Sequence, residues 1–170
     1  VIHLAARKQV GQSVEMPEQY FLDNIGGLAN LLLAMREHDV KKLVFSSSAA
    51  TYGMPSLDLV DEDYPGVPIN PYGQTKLVGE WMVKNAATWG LRGVNLRYYN
   101  VAGSESKKLA DTAELNLIPM PIAQLKRGER PLFFGTDSPT PARSGIRIDG
   151  HVAELHKPQL IAGPYKHRPV

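Results

Sequence analysis

The chain has 170 residues, 43% of them hydrophobic and 21% charged, with a net charge of +2 and no cysteine. That is long enough to bury a core as one domain or part of one. The near-neutral charge gives no electrostatic case for nucleic acid, disulfides and thiolate metal sites are excluded, and no apolar run reaches the length of a membrane-spanning helix. The expectation is a protein with neither nucleic-acid nor membrane partners. The lack of cysteine suits a reducing compartment, here expected to be the cytoplasm. "VIHLAARKQV" at the amino terminus lacks the charge, apolar run and small-residue order of a signal peptide.

"VIHLAA" reads as a buried strand at the very first residue, which implies a chain cut within a domain. From Pro17 to Arg36 the apolar residues Leu28, Leu31, Leu32 and Met35 recur at helical spacing. "KKLVFSS" predicts a strand at Leu43 to Ser46, followed by a loop rich in Pro, Asp and Gly. Pro71 opens a helix, where proline fits the first turn, with a buried stripe of Leu77, Val78, Trp81, Met82 and Ala86. "LRGVNLRYYNV" is a further strand. This alternation is the order of a parallel α/β sheet. In such sheets ligands lie beyond the carboxyl ends of the strands, where Ser46 to Ser48 and Asn100 fall. Farther on, "NLIPMPIAQLKRGER" predicts a helix ending at Gly128, "PLFFG" a short strand and "TDSPTPARSG" a polar loop. "IRIDGHVAELH" predicts a short strand leading into a helix, and the basic, proline-rich "KPQLIAGPYKHRPV" a loose tail.

Tyr72 and Lys76 stand four apart on the predicted helix, so their side chains share a face. A free phenol, with a pKa near 10, is a poor base at neutral pH, and a nearby ammonium should lower that value. A serine hydroxyl at the neighbouring strand end could hydrogen-bond the same substrate oxygen. Together the three groups can take a proton from an alcohol as hydride leaves its carbon. The plainer reading is a solvated Tyr/Lys pair and a serine-rich turn; the combination and its order favour the chemical one.

"YGQTK" is a Y-x-x-x-K motif, and the chain resembles the extended branch of the short-chain dehydrogenase/reductase superfamily, most closely its UDP-glucose 4-epimerases. The resemblance runs through "VIHLAA", "DNIGG", "FSSSAATYG", "NPYGQTK", "LRYYNVAG", "NLIP", "FFG" and "GIR", residues 1 to 147. It implies a Rossmann-like doubly wound parallel sheet, NAD as cofactor, a UDP-sugar substrate, C4 epimerisation in galactose metabolism, and a homodimeric parent protein. Tyr72 is implied as general base and acid, Lys76 as the residue that holds the nicotinamide ribose, and Ser48 as a partner of the sugar 4-oxygen. Leu4, Ala5, Ala6, Lys8, Asn24, Ser46, Tyr98 and Tyr99 match cofactor-side positions. Asp23 stands where the family often has asparagine near the cofactor. Asn100, Asn116, Leu117, Phe134 and Arg147 match residues that bind the UDP portion.

Related dehydratases and decarboxylases carry acids just before "YG"; here those positions are Ala49 and Ala50, which cannot transfer a proton. That disfavours elimination. The glycine-rich dinucleotide turn and its following acid are absent from the chain, and the family places them ahead of "VIHLAA". The expected organisation is therefore the later part of a Rossmann domain at residues 1–103, part of a substrate-binding region at 104–156, and an unassigned tail at 157–170. The alternatives are another nucleotide-sugar epimerase or dehydratase of the extended branch and a non-catalytic nucleotide-binding or structural remnant, and the isolated chain is expected to be inactive, poorly soluble and without tight NAD binding. His3, His38, His151, His156 and His167 have no metal-ligand spacing, so no metal is expected. Asp61, Glu62 and Asp63 read as a solvated loop, and Phe133 and Phe134 could equally be core.

Overall fold

A computed structural model describes residues 1–55, 60–104, 106–109, 118–131 and 149–151. Contacts divide these residues between two compact units, the first running to Tyr98 and the second starting at Tyr99 in the sequence. The first unit is built on a three-stranded sheet in the order β1 (Ile2–His3), β2 (Lys42–Ser48) and β3 (Arg92–Tyr98). Both pairings are parallel, with Ile2 beside Val44 and Val44 beside Val94. Parallel neighbours need helical crossovers. One is supplied by α1 (Val10–Glu15), α2 (Pro17–Tyr20) and α3 (Gly27–Glu37), the other by α4 (Pro71–Asn85). The expected parallel α/β order is therefore present.

The core lies between one sheet face and the helices: Leu28, Leu32 and Met35 of α3, Leu43 and Phe45 of β2, and Val83 of α4, closed by Ala86 and Leu91. Between α2 and α3, Phe21–Gly26 forms a π-helical turn that keeps the helix continuous while burying Asn24. Asn70 caps α4, its side-chain oxygen accepting from the Gly73 N–H at 2.8 Å, and Pro71 occupies the first turn.

Several local expectations need correction. β2 extends through all three serines rather than ending at Ser46. The strand in "VIHLAA" is two residues long and not buried; Ile2 and Leu4 are 69% and 66% exposed, because no described layer covers that sheet face. On α4 the buried stripe runs through Lys76, Gly79, Glu80 and Val83, together with Leu77, while Trp81 is 55% exposed. An apolar-only pattern cannot register a lysine and a glutamate that face inward with hydrogen-bonding partners. "LRGVNLRYYNV" forms two strands, since β3 stops at Tyr98 and β4 (Asn100–Ala102) belongs to the second unit.

In the second unit, β4 pairs in parallel with β5 (Asp149–His151), and α5 covers Pro119–Lys126. Gly128, at φ 73°, follows α5 as the sequence pattern anticipates. The predicted "PLFFG" strand, apart from Pro131, the polar loop after it and the tail lie outside the described residues.

Candidate active site

Three consecutive serines end β2, and each is tied to α4. The Ser48 hydroxyl acts on the Tyr72 phenol and lowers its pKa. The Lys76 ammonium donates to the Ser46 carbonyl at 2.6 Å. The Ser47 hydroxyl donates to the Glu80 carboxylate. Tyr72, Lys76 and Glu80 recur every fourth residue, so one helix face meets the whole triplet. Gly73 permits the approach: a Cβ there would stand 2.5 Å from the Ala50 carbonyl oxygen.

Burial governs the electrostatics. It lowers the Lys76 ammonium to a pKa of about 8, and it raises the Tyr72 phenol. The Ser48 hydroxyl pulls Tyr72 back down, and nearby Tyr20 pushes it up. The expectation that Lys76 would set the direction at Tyr72 is therefore corrected. The ammonium lies 5.8 Å from the phenol ring centroid, and its hydrogen bond goes to the strand carbonyl.

Behind this pair, buried Asn24 forms a hub. Its side-chain oxygen accepts from the Arg7 N–H at 2.8 Å. Its amide donates to the Arg7 carbonyl at 3.1 Å and to Thr75 Oγ1 at 3.0 Å. Thr75 in turn donates to the Tyr72 carbonyl at 2.8 Å. Asn24 thus joins the loop after β1 to the turn of α4 that carries Tyr72. That loop presents Leu4, Ala5, Ala6 and Lys8 in exposed positions. Asp23 is exposed and paired with Arg7 and Gln19, and those hydrogen bonds lower its pKa.

Tyr98 ends β3 directly beside Ser48 in register. Tyr99 and Asn100 belong to the second unit. Asn116, Leu117, Phe134 and Arg147 lie outside the described residues. Sequence reasoning missed Thr75, Ser47, Glu80 and Arg97. Arg97 grips Glu80 through two hydrogen bonds, 2.9 and 2.7 Å. The signal was present in the spacing Tyr72, Lys76, Glu80. Among the described residues no group of His, Asp and Glu could hold a metal, and no helix is long and apolar enough to cross a membrane.

The NAD dependent epimerase/dehydratase family matches residues 1–151. A UDP-glucose 4-epimerase of Corynebacterium glutamicum is 42% identical over 170 residues, covering 95% of this chain and 50% of the relative. One from Streptomyces lividans is 43% identical over 166 residues, with the same coverage. Among solved structures, UDP-glucose 4-epimerase from Brucella ovis in complex with NAD superposes with a TM-score of 0.82 at 39% identity, covering 95% of this chain and 51% of that one. The Bifidobacterium longum enzyme in complex with NAD+ and UDP gives 0.83 at 33% identity, covering 100% and 53%. The chain spans about half the length of the curated relatives it matches. Its parallel α/β sheet is the corresponding part of their Rossmann-like fold. By the match over residues 1–151 and the shared fold, the chain belongs to the NAD-dependent epimerase/dehydratase family.

Proposed function

We propose that the chain carries the catalytic part of a nucleotide-sugar epimerase that inverts C4 of a UDP-hexose, interconverting UDP-glucose and UDP-galactose in cytoplasmic galactose metabolism. The observation that carries this reading is the convergence of Ser48, at the end of β2, with Tyr72 and the buried Lys76 of α4, with alanines rather than acids at positions 49 and 50.

In this reading Tyr72 removes the proton of the sugar 4-hydroxyl and later returns it, while Ser48 holds the same oxygen. Bound NAD would supply a reversible hydride acceptor for the sugar C4, so that the proton held by Tyr72 and the hydride leave and return together. The residues suit such a cofactor. Lys76 carries three N–H donors, and the Ser46 carbonyl takes one, leaving donors for ribose hydroxyls. Asp23 is paired with Arg7, which limits its repulsion of a pyrophosphate. By the family resemblance, Leu4, Ala5, Ala6, Lys8, Asn24, Tyr98 and Tyr99 are assigned to the cofactor, and Asn100, Asn116, Leu117, Phe134 and Arg147 to UDP. The homodimeric parent is proposed from the family resemblance.

The test is a chimera in which this chain replaces the matching half of the Corynebacterium glutamicum relative. With NAD it should convert UDP-galactose to UDP-glucose. Tyr72→Phe should lower turnover by about 100-fold or more while UDP binding persists. Loss of water as the main product, or full activity in Tyr72→Phe, would overturn the reading.

A further inference from the structure

Glu80 lies outside the Ser48–Tyr72–Lys76 group, yet it is among the most buried charged side chains described. The residue is 6% exposed. A carboxylate so placed is costly unless its partners satisfy it, and here they do. Arg97 Nε and Nη2 donate to its two oxygens at 2.9 and 2.7 Å, the bidentate geometry that guanidinium and carboxylate share. The remaining bond comes from the Ser47 hydroxyl. Arg97 is itself fixed, its guanidinium 4.7 Å from the Tyr52 ring centroid and donating to the Glu62 carbonyl at 3.2 Å. Glu80 therefore links α4, β2, β3 and the segment after β2 at the carboxyl end of the sheet.

Its place in sequence gives this link a direction. Ser47 directly precedes Ser48, and Glu80 is two helical turns beyond Tyr72 on the same face. A rotation of the strand end that moved Ser48 away from Tyr72 would also pull Ser47 from Glu80. We propose that Glu80, locked by Arg97, is a positioning residue: through Ser47 it sets the strand end from which Ser48 reaches Tyr72. This rests on the proposed function above, in which the Ser48–Tyr72 contact holds the reacting oxygen.

The test reads Tyr72 directly in the intact chain. Tyrosines carrying 13C at Cζ are followed by NMR through an alkaline titration, and the Tyr72 signal is assigned by its loss in Tyr72→Phe. The groups acting on Tyr72 are Ser48, Tyr20 and the Lys76 ammonium, none of which the variants at 47 alter. Ser48→Ala should raise the Tyr72 midpoint, because it removes the hydroxyl that lowers it. Ser47→Ala, which touches no atom of Tyr72, should raise the midpoint by at least half as much. Ser47→Thr restores the hydroxyl and should return it to the parent value. If Ser47→Ala lowers the melting temperature but leaves the midpoint in place, while Ser48→Ala moves it, Glu80 is only a structural tie and the inference is overturned. If Ser48→Ala does not move the midpoint, the Ser48–Tyr72 contact itself fails, and the proposed site with it. Thermal unfolding of each variant confirms that a folded protein is being titrated.

Discussion

On β2, Leu43 and Phe45 are 2% and 4% exposed beneath α3 and α4. One row over, Ile2, Val44 and Val94 sit side by side across the three strands, and there Ile2 and Val94 are 69% and 42% exposed. Both rows are apolar, and both belong to the same parallel sheet. Strand residues alternate between faces, so a shift of one position separates core from open surface. Burial is thus decided by the layer that covers a row, and among the described residues only one face has its helices. Parallel sheets are ordinarily covered on both. Tyr72 and Lys76 sit at the carboxyl end of the sheet, where α4 is firmly packed and can hold them against the strand.

Substitutions should separate the two faces clearly. Phe45→Ala would empty the centre of the covered side and should cost about 3–5 kcal/mol in chemical denaturation; a loss near zero would mean that this core is not formed in solution. The next effect in size belongs to Lys76, the charge buried on the covered side. Its folded pKa, about 8, lies below the unfolded value of 10.5. Between these values the unfolded chain holds the proton and the folded chain does not, so stability should rise with pH across that window. Above about 10 the raised Tyr72 works in the opposite sense, since the folded protein keeps its phenolic proton longer than the unfolded chain. Lys76→Met should abolish the rise between the two lysine values; an unchanged pH profile in that variant would show that the ammonium is solvated. The smallest effect is expected on the open face, where Ile2→Ser should change stability by no more than about 0.5 kcal/mol. A cost as large as that of Phe45→Ala would show that something covers this face in solution.

The order of strands and helices was legible because strands and helices repeat with different periods, and because Pro71 and Gly128 mark helix ends. Tyr72, Lys76 and Ser48 were legible as a set through spacing and resemblance, and the structure brings them together. The remainder depended on information that hydrophobic patterning does not carry. Lys76 and Glu80 are buried because the serine triplet and Arg97 satisfy them, partners thirty or so residues away for the former and seventeen for the latter. Trp81 was assigned inward because it is apolar, although the inward face at that level is already taken by Glu80. The exposure of Ile2 follows from a missing neighbour layer, which a local reading of "VIHLAA" cannot represent. The direction of the Tyr72 shift depended on how burial compares with a cation held by a backbone carbonyl, a balance set by distances.

The π-helical turn at Phe21–Gly26 acts as a phase correction. Tyr20, Asn24, Leu28 and Leu32 are all buried, each four residues after the last. In a regular α-helix with 3.6 residues per turn, each such step overshoots by about 40°, so the row would wind steadily away from the sheet. The wider turn gives back part of that rotation in the middle of the row. Tyr20 can then support the loop at Gln9 while Leu28 remains in the core and Asn24 faces Thr75. The register of this segment is consequently discrete: removing one residue from the turn would rotate everything before it, Tyr20 and Pro17 included, by about a quarter of a revolution relative to α3. Substitutions here can be absorbed one at a time, but changes in length cannot.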